Sequence, residues 1–289
     1  MEVVSKPLMG SVDPFGLTLV RFSTGLVVLA ASAAVTGRLG ELAHLGRGTL
    51  AALLLLGFLN TFFSMSMLQL AIARSSASLA ATMICSNPLL VVLFSAALGM
   101  ERFSPARLAA FACGAVGVYL VMYSGAGRLD PAGSLYALAS AVSFAAYVVL
   151  GKRLVLRASP LSANIVSFAG GVGSLAVFIA LSGRSVFEPS WEPGLPDILS
   201  LAWLGVLVSG VGYLTFFRML RNASASSSSL VFFVKPVIAT ALAAALLGER
   251  PGTGFLAGLV MISAGSAAAL LLARPASASG GTGQDSRRL

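Results

Sequence analysis

One lysine stands out for its setting. Lys235 lies about ten residues into an apolar run, 225–247, directly before Pro236. A run of that length crosses the hydrocarbon of a bilayer. A basic residue near its middle costs about 2.5–3.5 kcal/mol on insertion scales. The cost calls for a wetted cavity, a partner charge or loss of the proton. No Asp, Glu or His is found at comparable depth in the other apolar runs. Lys235 is therefore expected to face a central cavity and meet a carboxylate, phosphate or dipole of a bound molecule. The structural alternative is that Pro236, which has no N–H for the carbonyl of Phe232, leaves that carbonyl for the lysine to bond.

Other polar and aromatic residues in the apolar runs could complete such a pocket. Asn87 also precedes a proline, Pro88, and with Ser86 and Thr82 it offers neutral hydrogen bonds. Asn60, Phe63, Ser64, Gln69, Phe144, Tyr147, Tyr213 and Phe216 are further candidates, with the tyrosines favoured because a buried hydroxyl seeks a partner. Each has a packing alternative, as helix–helix glue for Asn and Ser or as lipid-facing surface for Phe. Pro88 and Pro236 are expected to kink their helices and let the two halves rock. Arg21 is expected to snorkel to the membrane interface, with a gate through Asp13 as the alternative. Glu101 and Glu249 sit at opposite helix ends, where ion pairs with neighbouring arginines are expected. Gly254-x-x-x-Gly258 and Gly114-x-x-Gly117 permit close helix packing.

The inventory excludes much other chemistry. Cys85 and Cys113 fall inside apolar runs and read as small buried hydrophobes. The lone histidine, His44, lies in a loop. No metal site and no Ser-His-Asp set can be assembled, so no catalytic residues, metal ligands or cofactor are expected. No Gly-x-x-x-x-Gly-Lys-[Ser/Thr] loop occurs, so ATP is not the direct driver.

The elements that must position these residues follow from composition. The chain is 57% hydrophobic and 10% charged, against about 25% charged in a soluble domain. Nine runs near spanning length recur: about 15–36, 50–73, 77–99, 105–123, 131–151, 161–182, 198–217, 225–247 and 254–273. The links are short, so one polytopic all-α membrane unit is expected. The net charge of +9 is spread over span ends, which argues for a membrane topology signal and against nucleic acid. Alternate sides carry Arg38, Arg47, Arg102, Arg107, Lys152, Arg153, Arg157, Arg218, Arg221, Arg274, Arg287 and Arg288, against Lys6, Arg74, Arg128, Arg184 and Arg250. The first group is expected in the cytoplasm, with the C-terminus. The Ser-, Gly- and Arg-rich tail, 275–289, has no apolar period and is expected to be disordered.

The runs are duplicated. Asn87-Pro88 to Glu101-Arg102 repeats as Lys235-Pro236 to Glu249-Arg250, 148 residues later. Gly57 matches Gly205 and Gly117 matches Gly265 at the same offset; Pro14, Phe22 and Gly25 match Pro160, Phe168 and Gly171 at offset 146. Asn87 and Lys235 are then symmetry mates at related depths. Five runs fall in the second half and four in the first. Val3-Val4-Ser5-Lys6 matches only the last residues of the run at 131–151, so most of a first helix is expected to be missing. The parent is five helices plus five, and an odd number makes the repeats inverted. The boundaries are 1–126 for the first repeat, 127–274 for the second and 275–289 for the tail.

The pattern resembles the EamA family of the drug/metabolite transporter superfamily. It is carried by Asp13-Pro14 with Leu19-Val20-Arg21-Phe22, by the duplicated Pro-to-Glu-Arg block, and by Gly133-Ser134-Leu135-Tyr136-Ala137-Leu138, over most of residues 3–273. The resemblance implies ten helices in inverted five-helix repeats, a central cavity and transport of small metabolites. The chain departs from the family where Phe144 replaces a common Trp and Lys235 a common Glu. The expectation is a non-enzymatic secondary transporter of the inner membrane, an exporter working by alternating access. Its substrate carries an anionic group, such as an amino acid or organic acid; its other partners are lipid and a second copy in a homodimer. The alternatives are a non-transporting or decayed membrane protein and, further off, an intramembrane enzyme.

Overall fold

The computed structural model describes residues 1–84, 86–100, 105–123, 130–229 and 231–272. Cys85, Glu101 and the 275–289 tail lie outside the described residues. Among those described the chain is helices joined by loops, and its only β pairing is the isolated bridges Met9–Val12 and Val12–Phe187. The main helices are α1 (Glu2–Ser5), α2 (Pro14–Val35), α3 (Arg47–Arg74), α4 in two pieces (Ala77–Ile84 and Asn87–Ala97), α5 (Pro105–Tyr123), α6 (Pro131–Leu154), α7 (Pro160–Ser182), α8 (Leu195–Asn222), α9 (Val231–Leu247) and α10 (Thr253–Leu271). Six of them, α2, α3, α4, α6, α7 and α8, are long and apolar enough to cross a bilayer. The expected runs at 105–123, 225–247 and 254–273 are helical as well, as α5, α9 and α10. Val27, Leu55, Val177, Leu181, Ile238 and Val260 lie exposed on outer faces, an apolar surface suited to lipid and not to water. The chain is a polytopic membrane protein.

Helix starts are written locally. Pro14, Pro131 and Pro160 each occupy a first-turn position, where a missing N–H costs nothing. The residue before each supplies the cap. Asp13 accepts from the amides of Phe15 and Gly16 at 2.9 and 3.2 Å, Asp130 from Ala132 at 3.0 Å, and Ser159 from Ser162 at 3.2 Å. The helix α4 has a turn at Ser86, which precedes its second piece, with Pro88 in that piece's first turn. By contrast α9 runs uninterrupted through position 236, so the two proline positions, expected to act alike, differ.

The helix boundaries repeat with the sequence. α3 and α8 are both 28 residues long and start 148 residues apart. The middles of α3 and α8 both widen into π-helix, at Phe58–Met65 and Trp203–Gly212. Contacts repeat too. A Cβ on Gly117 would press on the Gly258 carbonyl at 2.8 Å, and one on Gly265 on the Ala110 carbonyl at 2.7 Å, so α5 and α10 touch backbone to backbone at two matching points. A Cβ on Gly171 would strike Thr61 of α3, and one on Gly25 would come within 3.0 Å of Ser209 on α8. Lys6 donates to the Ile72 and Ser75 carbonyls at the end of α3 at 2.7 and 2.6 Å; Lys152 donates to the Leu220 and Arg221 carbonyls at the end of α8 at 2.8 and 3.2 Å. Each lysine satisfies carbonyls that a helix end leaves without partners.

The two ends of the bundle are tied differently. At one end Asp13 pairs with Arg184 at 3.0 Å and Arg74 with Asp130 at 3.5 Å. The Glu249 carboxylate there accepts from the amides of Ala77 and Ser78 at 2.7 and 3.1 Å and from the Ser78 hydroxyl. This corrects the expectation of an arginine partner for Glu249. Its carboxylate caps the N-terminus of α4, where two free amides and the helix dipole favour an anion. At the other end Arg38 binds Glu41 at 2.6 Å, and Ser159 and Ser162 donate to the same carboxylate. Hydrogen bonds from Arg38 and then Ser159 hold the Glu41 carboxyl down to about 2, so the link is ionised at neutral pH.

Candidate functional site

A cavity of about 610 Å³ opens between α3, α4, α6, α8 and α9, a size that suits a small organic molecule. Its wall is mainly apolar. Phe144, Phe216, Phe232 and Tyr213 supply the aromatic surface, with Met65, Leu68, Val208 and Met219 around them. Phe232 bridges two of these rings, edge-on to Phe144 at 5.4 Å and tilted on Phe216 at 5.6 Å. Behind them Phe22, Phe168 and Tyr213 close a triangle of edge contacts at 4.8, 5.4 and 5.3 Å. Phe22 and Phe168 are the pair that match across the repeat.

Lys235 lies on this wall, about one quarter exposed. Val231 and Phe232, one turn earlier on α9, line the cavity beside it, as helical spacing requires. Its Nζ lies 2.6 Å from Glu2 Oε1, and the glutamate is only 1% exposed. This overturns the expectation that no carboxylate reaches the lysine's depth. Glu2 belongs to the four-residue helix α1, which packs against α9, α4 and α3. The cavity thus carries an ammonium whose buried counter-ion stands behind it, leaving donor capacity toward the cavity.

Arg21 does not snorkel. It is fully buried, because α2 approaches α8 closely at Gly25, one turn away, and leaves no route outward. Nor does it reach Asp13, which is held by Arg184. Its Nη2 lies 3.5 Å from Ser209 Oγ on the π-helical part of α8, its guanidinium sits 5.5 Å from the Phe22 ring, and its Nε and Nη1 have no hydrogen bond. A buried cation so thinly satisfied is costly.

The remaining candidates divide between cavity wall and packing. Phe144 and Tyr213 line the cavity with Lys235. Tyr147 is fully buried behind Phe144, 5.6 Å ring to ring, with its hydroxyl unpartnered. Asn87 and Ser64 both bind α6: the Asn87 amide donates to the Ala141 carbonyl at 3.2 Å and Ser64 to the Ser140 carbonyl at 3.0 Å. Asn60 is buried, its carboxamide without a hydrogen bond. Thr82 and Ser86 bond carbonyls of their own helix. Pro88 is buried in the first turn of the second piece of α4. Sequence reasoning missed Glu2, Phe232 and Thr215. Phe232 was findable, three residues before Lys235 and so on its face. Glu2 was not, since a four-residue segment has no readable period.

Comparison with known proteins follows the same outline. The profile of the EamA-like transporter family matches residues 1–123 and 131–271. An uncharacterized transporter of Clostridium kluyveri is 30% identical over 263 residues, 89% of this chain and 83% of the relative. The aromatic amino acid exporter YddG of Ancylobacter novellus is 28% identical over 283 residues, 92% and 90% of the two chains. The uncharacterized inner membrane transporter YedA of Escherichia coli (strain K12) is 25% identical over 237 residues, 82% and 74%. One crystal structure of another protein superposes with a TM-score of 0.69 at 24% identity, covering 93% of this chain and 91% of its own, a likeness of fold.

Proposed function

The chain belongs to the EamA-like transporter family, and from that premise we propose that it is an alternating-access exporter of amino acids with large apolar side chains. The observation that carries the reading is the cavity: one charged side chain among the described lining residues, Lys235, on a wall of Phe144, Phe216, Phe232 and Tyr213. A substrate carboxylate meets the lysine in a charge-assisted hydrogen bond, and its side chain lies against the rings. The name of the Ancylobacter relative, an aromatic amino acid exporter, supports the same class.

The architecture in this proposal is two inverted repeats, 1–126 and 127–274, of a ten-helix parent. Matching helix bounds and the paired Lys6 and Lys152 contacts support the duplication. Lys6 holds carbonyls at the bundle end of Glu249, Lys152 at the end of Glu41; opposite ends support inversion. Arg38, Arg47, Lys152, Arg153 and Arg221 gather at the second of these ends, which the positive-inside rule puts in the cytoplasm with the C-terminus. Met219 and Val231, near helix ends on that side, line the cavity, which supports loading from the cytoplasm.

The test is counterflow in proteoliposomes with L-tryptophan, L-phenylalanine and tryptamine. The two amino acids should exchange and tryptamine, which lacks the carboxylate, should not. Equal flux of tryptamine, or no flux of either amino acid, would remove this substrate class.

A further inference from the structure

We propose that Glu2 is the resident anion of the cavity, and that a substrate carboxylate takes its place on Lys235. The inference rests on the reading of the cavity as the substrate site. Three observations carry it. Lys235 is the only charged side chain on the described cavity wall. Its one ion-pair partner among the described residues is Glu2, at 2.6 Å. Glu2 is itself almost wholly buried and so holds the lysine from behind, without facing the cavity.

An ammonium on an apolar wall needs an anion at all times, because its charge is poorly solvated there. In the empty cavity Glu2 supplies it. A substrate carboxylate arriving at the same Nζ adds a second anion to one cation, and two carboxylates at one site repel. The repulsion is relieved when Glu2 takes one proton from the water phase that the cavity faces and becomes a neutral carboxylic acid. One proton therefore enters with each substrate carboxylate, so that Lys235 faces one ionised carboxylate in the loaded site as in the empty one.

The groups facing Glu2 fit this exchange. Lys235 comes from α9, and the Met1 amino nitrogen lies 3.7 Å from Oε2. Arg21 of α2 lies within electrostatic reach. From α3 comes neutral Gln69, bonded to Ser5, while Arg74 at the far end is held by Asp130. α4 has no Asp, Glu, Lys, Arg or His. No second carboxylate among these elements can stand in for Glu2.

The exchange also has a mechanical reading. α1 contacts α9 beside the Glu2–Lys235 pair, so freeing Glu2 from Lys235 removes the ionic tie between those two helices. Substrate binding and release of that tie are then one event.

The experiment measures equilibrium binding of L-tryptophan to the full chain in nanodiscs from mildly acidic to mildly alkaline pH, for wild type, Glu2→Gln, Glu2→Asp and Lys235→Met. Wild type should bind more weakly as pH rises, because ionised Glu2 competes. Glu2→Gln should bind about tenfold tighter than wild type at the alkaline end, with no pH slope, since the competent state is no longer taxed. Glu2→Asp, which reaches less far, should fall between them and serves if the Gln variant folds poorly. A second arm needs no substrate: acetic anhydride labelling of Lys235, read by mass spectrometry, should be faster in Glu2→Gln than in wild type. Wild-type affinity and slope in Glu2→Gln, with binding still lost in Lys235→Met, would overturn the exchange and leave the cavity reading intact. Undiminished binding in Lys235→Met would overturn the cavity reading. If wild type binds no L-tryptophan, the labelling arm decides, and equal labelling in wild type and Glu2→Gln overturns the exchange.

Discussion

Lys235→Met should abolish L-tryptophan counterflow, and Lys235→Arg should retain part of it. The methionine preserves length and apolar packing but removes the one charged side chain on the described cavity wall. A hydrogen bond to a charged group contributes about 1.5–3 kcal/mol, which alone weakens binding by roughly ten- to a hundredfold. The substitution has a second effect. It takes from Glu2, buried at 1% exposure, its nearer cation and leaves the Met1 amino nitrogen at 3.7 Å; breaking a buried pair from one side costs about 3–5 kcal/mol. Loss of flux could then reflect loss of fold. The double variant Lys235→Met with Glu2→Gln separates the two, because it removes both charges of the 2.6 Å pair. It should recover wild-type thermal stability in detergent and still fail to exchange L-tryptophan. Flux restored in the double variant would show that the lysine serves only to neutralise Glu2.

Glu249→Gln should lower stability by about 2–3 kcal/mol without touching the cavity. The carboxylate accepts from two backbone amides and one hydroxyl at the start of α4. Removing a helix cap costs about 0.5–2 kcal/mol, and a charged acceptor on three donors lies at or above the top of that range. Glutamine can accept through its one oxygen but loses the charge that the helix N-terminus favours. The melting temperature in detergent should fall by roughly 5 °C for a chain of this size, and amide exchange should rise in Ala77 and Ser78. Arg250→Gln, one residue along, removes a charge at the same end and should leave both unchanged. A wild-type melt and unchanged exchange in Glu249→Gln would show that the cap carries no stability.

Much of the frame is legible in the order of residues alone, and for a physical reason. Apolar runs and their spacing report the bilayer directly, and a duplicated register survives in helix lengths: α3 and α8 match to the residue. The position of Lys235 in its run points to a cavity, with a local carbonyl as the alternative, and the residue lines one. What stays hidden depends on side-chain partners between distant segments. Arg21 looks free to snorkel because its depth can be counted, while the approach of Gly25 to Ser209 that encloses it cannot. Asn87 is readable as the repeat mate of Lys235, but the bond from its amide to the Ala141 carbonyl of another helix is not. Glu249 looks like half of an ion pair because Arg250 follows it, and the free amides of a helix start 171 residues away outcompete that neighbour. Glu2 is the hardest to foresee, since its role is set by packing against α9.

The measurement that bears most directly on the central claim is photolabelling of the full chain with p-azido-L-phenylalanine, an aromatic amino acid, followed by peptide mapping. If the cavity is the substrate site, adducts should fall on the wall around Lys235, at Phe144, Tyr213, Phe216 and Phe232, and excess L-tryptophan should suppress them. Adducts confined to the depressions at the bundle ends, beside Asp13 and Arg184 or beside Arg38 and Arg221, with none on the cavity wall, would contradict it.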